Sequence, residues 1–341
     1  FIAFILVSIG IGIGQGMELN TIVSSIEKGI GNTLGFLVMI LGLGAMLGKL
    51  VAESGAAQKI TNGLITFFGV KNTKTAVMIT GFVVGITMFY SVGFVILVPL
   101  VFTVASATGL SLISIALPML AALSVTHGFL PPHPAPSALS VMFEADIGNT
   151  LLYGIVVAIP AILISGPLLT RFIPKVEAKP LKEFMASKIF EESDLPSLYN
   201  SLLTALLPVL LIGFSTITLN FLVPGSTAFS LIKFLGNPVI ALLLSLLIGI
   251  YTLGLSRGNS MEEVMKIFSS AASGITMVLL IISGAGALKQ ILIDSGVSQY
   301  IGSLLETTSL SPLILAWLIA TLIRFSVGSA TVAGLTTAGI V

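Results

Sequence analysis

Both histidines of the chain, His127 and His133, fall in one segment, SVTHGFLPPHPAPSAL, Ser124 to Leu139, beside Pro131, Pro132, Pro134 and Pro136. Imidazole changes charge near neutral pH, so two of them six residues apart can relay a proton or donate to an anion. They can equally be plain hydrogen-bonding residues of a loop. No zinc pattern fits them, and neither a metal nor another cofactor is expected. Each proline removes an amide donor and pushes its predecessor out of helical geometry, so the segment cannot be continuous helix. The flanks LSLISIALPMLAALSV and SALSVMFEADIG read as helix. The expectation is a broken helix with an unwound middle, its second half capped by Ser137. The alternative is a surface loop between two ordinary helices.

Two further stretches carry candidate chemistry. TMFYSVGFVILVP holds Ser91 and Gly93 in mid-run, and LIRFSVGSATVAGLTTAG holds Arg324, Ser326, Gly328 and Ser329. Small residues there let backbone amides face a ligand. Arg324 lies within an apolar stretch, where a charge is costly, and can pair with a carboxylate or snorkel from a helix end. Glu144 and Asp146 follow the broken helix, either as solvated groups at its mouth or as proton carriers.

The elements that hold these residues must be membrane helices. Of 341 residues 55% are hydrophobic and 9% charged, with a mean hydropathy of +1.12. Apolar runs near 1–17, 30–52, 74–106, 108–143, 149–173, 198–223, 234–256, 272–293 and 311–341 are of the length that crosses a bilayer. An all-α integral membrane protein follows, and a β-barrel, with its short alternating segments, does not. Cysteine is absent and the net charge is +1, which excludes thiol chemistry and a basic nucleic-acid binder. ELNTIVSSIEKGIGN and SGAAQKITNGLITFFGV read as interfacial helices.

One polar connector, Arg171 to Ser197, carries ten charged residues and divides the runs into two groups. The groups repeat. LGKLVAESGAAQKI (47–60) aligns without a gap on LKQILIDSGVSQYI (288–301), and FYSVGFVILVPL (89–100) on RFSVGSATVAGL (324–335). Internal repeats are a building principle of secondary transporters, in which unwound helix middles supply the substrate site. Taking the connector as cytoplasmic and 74–106 as a re-entrant hairpin puts eleven basic residues inside and three, Lys28, Lys233 and Lys289, outside, in agreement with the positive-inside rule. The repeats are then inverted: 1–173 is the first, 174–197 a cytoplasmic linker, and 198–341 the second. Matching the halves leads us to expect a fragment, lacking one N-terminal helix and about 65 residues of the second repeat, its broken helix included.

GFLPPHPAPSAL (128–139), EADIGNTLLYGIVVAIP (144–160), ESGAAQKI and RFSVGSATVA together resemble the gluconate permease family, along the whole chain. The resemblance implies a bacterial inner-membrane, multi-pass symporter for gluconate or a related sugar acid, coupled to protons. It implies scaffold helices around a domain that moves in elevator fashion, and a homodimer. The sodium-driven dicarboxylate carriers of the wider group bear Ser-Asn-Thr at their hairpin tips. Here the tips read Ser91-Val92-Gly93 and Ser326-Val327-Gly328, which favours protons over sodium. On this reading Thr126, His127, Gly128, Pro131, Pro132, His133 and Ser137 line the break, and Ser91, Gly93, Arg324, Ser326, Gly328 and Ser329 the hairpins. His127, His133, Glu144 and Asp146 are the proton-coupling candidates. A carrier for another small hydroxy or amino acid such as D-serine, and a sodium-coupled anion transporter, are the alternatives. No ring-forming filter motif favours a channel, and no HExxH or GxSxG favours an intramembrane enzyme.

Overall fold

The computed structural model describes residues 1–108, 110–173, 190–297, 300, 311–327 and 330–339, and of residues 70, 91, 103, 106, 107, 326 and 327 the backbone alone. Every regular element among them is helical: α1 Ile2–Gly14, α2 Leu19–Glu53, α3 Ala56–Phe68, α4 Thr73–Thr87, α5 Tyr90–Thr108, α6 Leu112–Phe129, α7 Pro134–Met142, α8 Ile147–Phe172, α9 Leu198–Leu219, α10 Thr227–Leu235, α11 Pro238–Gly249, α12 Met261–Asp294, α13 Pro312–Val327 and α14 Ala330–Ala338. Among the described residues six helical stretches are long and apolar enough to cross a membrane, counting α6 and α7 as one.

Three elements differ from the sequence expectation. ELNTIVSSIEKGIGN is no separate interfacial helix; most of it is the start of α2, which runs 35 residues. At 1.5 Å per residue that is about 52 Å, well beyond a hydrocarbon core of about 30 Å. No Pro or αL glycine stands between the amphipathic and apolar parts, so the backbone bonds continue through both. α12 likewise starts eleven residues before the apolar run, at a capping box in which Ser260 and Glu263 exchange hydrogen bonds. The run 74–106, expected as a hairpin with its tip at Ser91-Val92-Gly93, is two helices whose break falls earlier, at Met88 and Phe89, which puts Gly93 inside α5.

Two compact units emerge, and each draws on both sequence halves. One comprises Ile40–His133 and Ile147–Ser273. One core cluster of it is Ile86, Ala122, Leu130, Leu151, Ala158, Ile162, Ile212 and Ala241, supplied by α4, the α6 region, α8, α9 and α11. In a membrane such helices gain little from apolar burial and hold together by close packing. Gly81 and Gly85 provide it. A Cβ on Gly81 would stand 2.6 Å from the Met119 carbonyl oxygen, and one on Gly85 would strike Thr126 Oγ1. This small-xxx-small stripe brings α4 against α6. The end of the polar connector is docked on the same unit. Gln58 of α3 exchanges two hydrogen bonds with the Phe190 backbone (2.8 and 3.0 Å), and Lys59 pairs with Glu192. The Lys59 hydrogen bond, helped by Asn62, holds the exposed Glu192 carboxyl below its ordinary range.

The other unit comprises Phe1–Met39, Pro134–Asp146 and Gly274–Val341. There α2 meets α12 at Gly29 and Gly286, and Ser25 donates to Asp294 (2.7 Å), which also accepts from Gln290. α7 packs on α14. The two longest helices end alike. After α2, Ser54 precedes Gly55 at φ +80°; after α12, Ser295 precedes Gly296 at φ +79°. In both, the serine amide bonds back four residues, to Leu50 and to Ile291, and the glycine carbonyl accepts from the fourth residue beyond, Lys59 or Tyr300.

Candidate functional site

The break expected from the prolines is present: α6 ends at Phe129, α7 begins at Pro134, and Leu130–His133 between them is not helical. The Pro131–Pro132 bond is cis. Pro134 opens α7 because a first-turn proline lacks only an amide that would have no helical partner. That corrects the capping assignment of Ser137. The helix starts three residues before it, so Ser137 lies within the first turn, fully buried, and its Oγ finds no hydrogen-bond partner among the described residues.

His133 is 4% exposed and ends a chain of hydrogen bonds. Its Nε2 lies 2.5 Å from the carbonyl oxygen of Gly85, in the last turn of α4. The final carbonyls of a helix lack helical partners. Val84 is served by the Met88 amide, and Gly85 is served by His133. A carbonyl can only accept, so Nε2 carries hydrogen, and Nδ1 of neutral His133 is then the acceptor nitrogen. His127 Nδ1 stands 3.2 Å from it and must be the donor. A proton placed on His133 Nδ1 would set two N–H groups against each other. Phe89, at the break between α4 and α5, sets its ring edge-on to both imidazoles, with centroids 5.9 and 6.1 Å away.

The other expected residues divide. Thr126 is fully buried, and its hydroxyl turns back to the Ala122 and Leu123 carbonyls of its own helix. Gly93 packs on the Leu123 side chain, while a Cβ on Gly128 would meet open space. Pro131 and Pro132 are buried, and Pro132 shares an apolar pocket with Gly44, Ile86, Thr87 and Val209. So His127, Gly128, Pro131, Pro132, His133, Thr126 and Gly93 belong to one unit, around the ends of α4 and α6. Ser137, Glu144, Asp146 and Arg324 belong to the other. Arg324 is exposed in the last turn of α13, and Glu144 and Asp146 are exposed beyond α7. Ser91 and Ser326 are described by backbone only, and Gly328 and Ser329 lie outside the described residues.

Sequence reasoning passed over Gly85, Phe89 and Lys289. Gly81 and Gly85 form a Gly-x-x-x-Gly pair that was there to be read. Phe89 gave no such signal. Lys289 stands inside α12, and its Nζ donates to the carbonyl oxygen of Met142, 2.7 Å away. A lysine in an apolar helix is itself a signal, since membrane charges seek partners.

Known proteins resemble this chain along its whole length. The family model of GntP family permeases matches residues 1–341. The Gnt-II system L-idonate transporter of Escherichia coli is 46% identical, and a high-affinity gluconate transporter of the same organism 47%; each comparison covers all of this chain and 78% of the relative. A gluconate permease of Bacillus subtilis is 46% identical with the same coverage. The solved structure of Neisseria gonorrhoeae MtrF, described within a class of antimetabolite efflux pumps, superposes with a TM-score of 0.63 at 17% identity, covering 94% of this chain and 69% of that one. At that identity the likeness concerns the fold alone. With the family model matching from end to end and six helical stretches able to span a bilayer, the chain belongs to the GntP family of permeases, multi-pass transport proteins of the bacterial inner membrane.

Proposed function

We propose that this permease imports gluconate or a closely related sugar acid together with protons. The substrate class rests on the gluconate and L-idonate transporters that match the whole chain. Proton coupling rests on one geometric observation, the His127–His133 pair anchored on the Gly85 carbonyl at the helix break. A monocarboxylate travelling with one proton crosses without net charge. In one unit Ser91 and the carbonyls around Pro131 and Pro132 are the candidates for the hydroxyls; in the other, Arg324 is the candidate for the carboxylate and Ser326 a further hydroxyl partner. Gly128, Ser137, Gly328 and Ser329 are the remaining candidates, whereas Gly93 packs on Leu123 and the Thr126 hydroxyl is held by its own helix. The matching ends of α2 and α12, at Gly55 and Gly296, support two repeats of one plan, and units that interleave the halves are what intertwined repeats produce. Elevator-type movement and a homodimer complete the reading. Counterflow of labelled gluconate in proteoliposomes tests it. Exchange that saturates with gluconate is expected; flux that rises linearly, or that D-serine drives and gluconate does not, overturns it.

A further inference from the structure

Three of the last four carbonyls of the half-helix α7 are closed by its own C-terminal turn. Leu139 O accepts from the Phe143 amide (2.9 Å), Ser140 O from Ala145 (2.8 Å) and Val141 O from Glu144 (3.3 Å). With Glu144 at φ +53°, this is a Schellman turn that carries glutamate where glycine is the usual residue. One carbonyl remains, that of Met142, and it is taken by a side chain 147 residues away: Lys289 Nζ donates to it at 2.7 Å. A cation at the carbonyl end of a helix is also where the macrodipole favours it. Lys289 and the half-helix lie within one compact unit. A helix of nine residues is marginal alone. Two of its first three positions are prolines without amides, and it carries the buried Ser137 hydroxyl, so its hold at the far end matters.

We propose that Lys289 is a positioning residue of the permease: by capping Met142 it clamps the half-helix that follows the break, and transport turnover depends on that clamp. The sugar-acid reading enters only through the assay. The intact protein is reconstituted in proteoliposomes at matched amounts, and gluconate counterflow is measured with backbone amide exchange at Phe143–Ala145. Lys289→Met should lower turnover about tenfold or more with KM within about threefold, and speed exchange at those amides by a similar factor. Lys289→Arg should recover most of both. The double variant Lys289→Met/Glu144→Gly is the decisive one. Glycine at the αL position strengthens the turn without Lys289, so a clamp predicts partial recovery of turnover, and a lysine that contacts substrate directly predicts none. Parental turnover in Lys289→Met, or no recovery in the double variant, overturns the proposal. Should Lys289→Met yield no folded protein, the double variant decides: folded, transporting protein supports the clamp, and its absence refutes it. Should the parent show no gluconate counterflow, the sugar-acid reading fails, and amide exchange still judges the clamp.

Discussion

His133 Nε2 donates to the Gly85 carbonyl at 2.5 Å, so a residue of the unwound segment caps the end of α4, 48 positions earlier in the chain. Leaving a buried acceptor without a donor costs about 1–3 kcal/mol. His133→Ala should therefore lower stability by about that amount, read as a drop in thermal unfolding temperature in detergent. His133→Gln, which still offers an N–H, should regain part of it. Equal losses in the two variants would mean that this bond is not what His133 contributes.

The proposed coupling of one proton to each gluconate fixes how uptake responds to a gradient. A gradient of one pH unit is worth about 1.4 kcal/mol per proton, or tenfold in concentration. Gluconate accumulation should follow pH at about one decade per unit and ignore an imposed membrane potential. His127→Gln should abolish pH-driven accumulation while counterflow persists. Accumulation that responds to potential, or to sodium at equal pH, would defeat the assignment.

Gly81 faces backbone rather than a yielding side chain, since a methyl group on it would stand 2.6 Å from the Met119 carbonyl oxygen. Gly81→Ala must push α4 from α6, at a cost of about 1–3 kcal/mol. Gly35→Ala, in open space on α2, should be neutral or stabilising by up to about 1 kcal/mol. Unfolding of the two variants side by side separates steric contact from helix propensity.

Arg324 is the proposed partner of the substrate carboxylate. Removing one member of a desolvated charged pair typically costs about 2–5 kcal/mol, so Arg324→Ala should weaken apparent gluconate affinity at least tenfold, as roughly 1.4 kcal/mol makes a decade. Lysine should recover only part, lacking two parallel donors. Unchanged affinity in Arg324→Ala, with binding lost in His127→Ala or His133→Ala, would move the cation of the site to the broken helix.

The connector 171–197 should face the cytoplasm, given eleven basic residues on that side against three. Its residue Ser187 lies outside the described residues. Ser187→Cys should resist an impermeant thiol reagent in intact cells and react once the membrane is opened.

Class, the place of the break and six of the nine apolar runs as spans could be read along the chain; among the described residues the runs 1–17, 74–106 and 311–341 hold only shorter helices. Those are local matters: apolar length decides whether a helix can cross, and a proline denies its amide wherever the chain folds. The repeated Ser-Gly at 54–55 and 295–296 was legible for the same reason, because an αL helix end is written in adjacent residues. Helix starts were less legible. α7 begins at Pro134 and not at Ser137, because a first-turn proline and a serine cap compete for the same few positions. Which groups satisfy the open carbonyls emerged only from the folded chain. Gly85 is met by His133 and Met142 by Lys289, partners 48 and 147 residues distant, chosen by which helix ends fold together. No periodicity carries that information. A helix end announces that it needs a donor, and packing alone settles which residue supplies it.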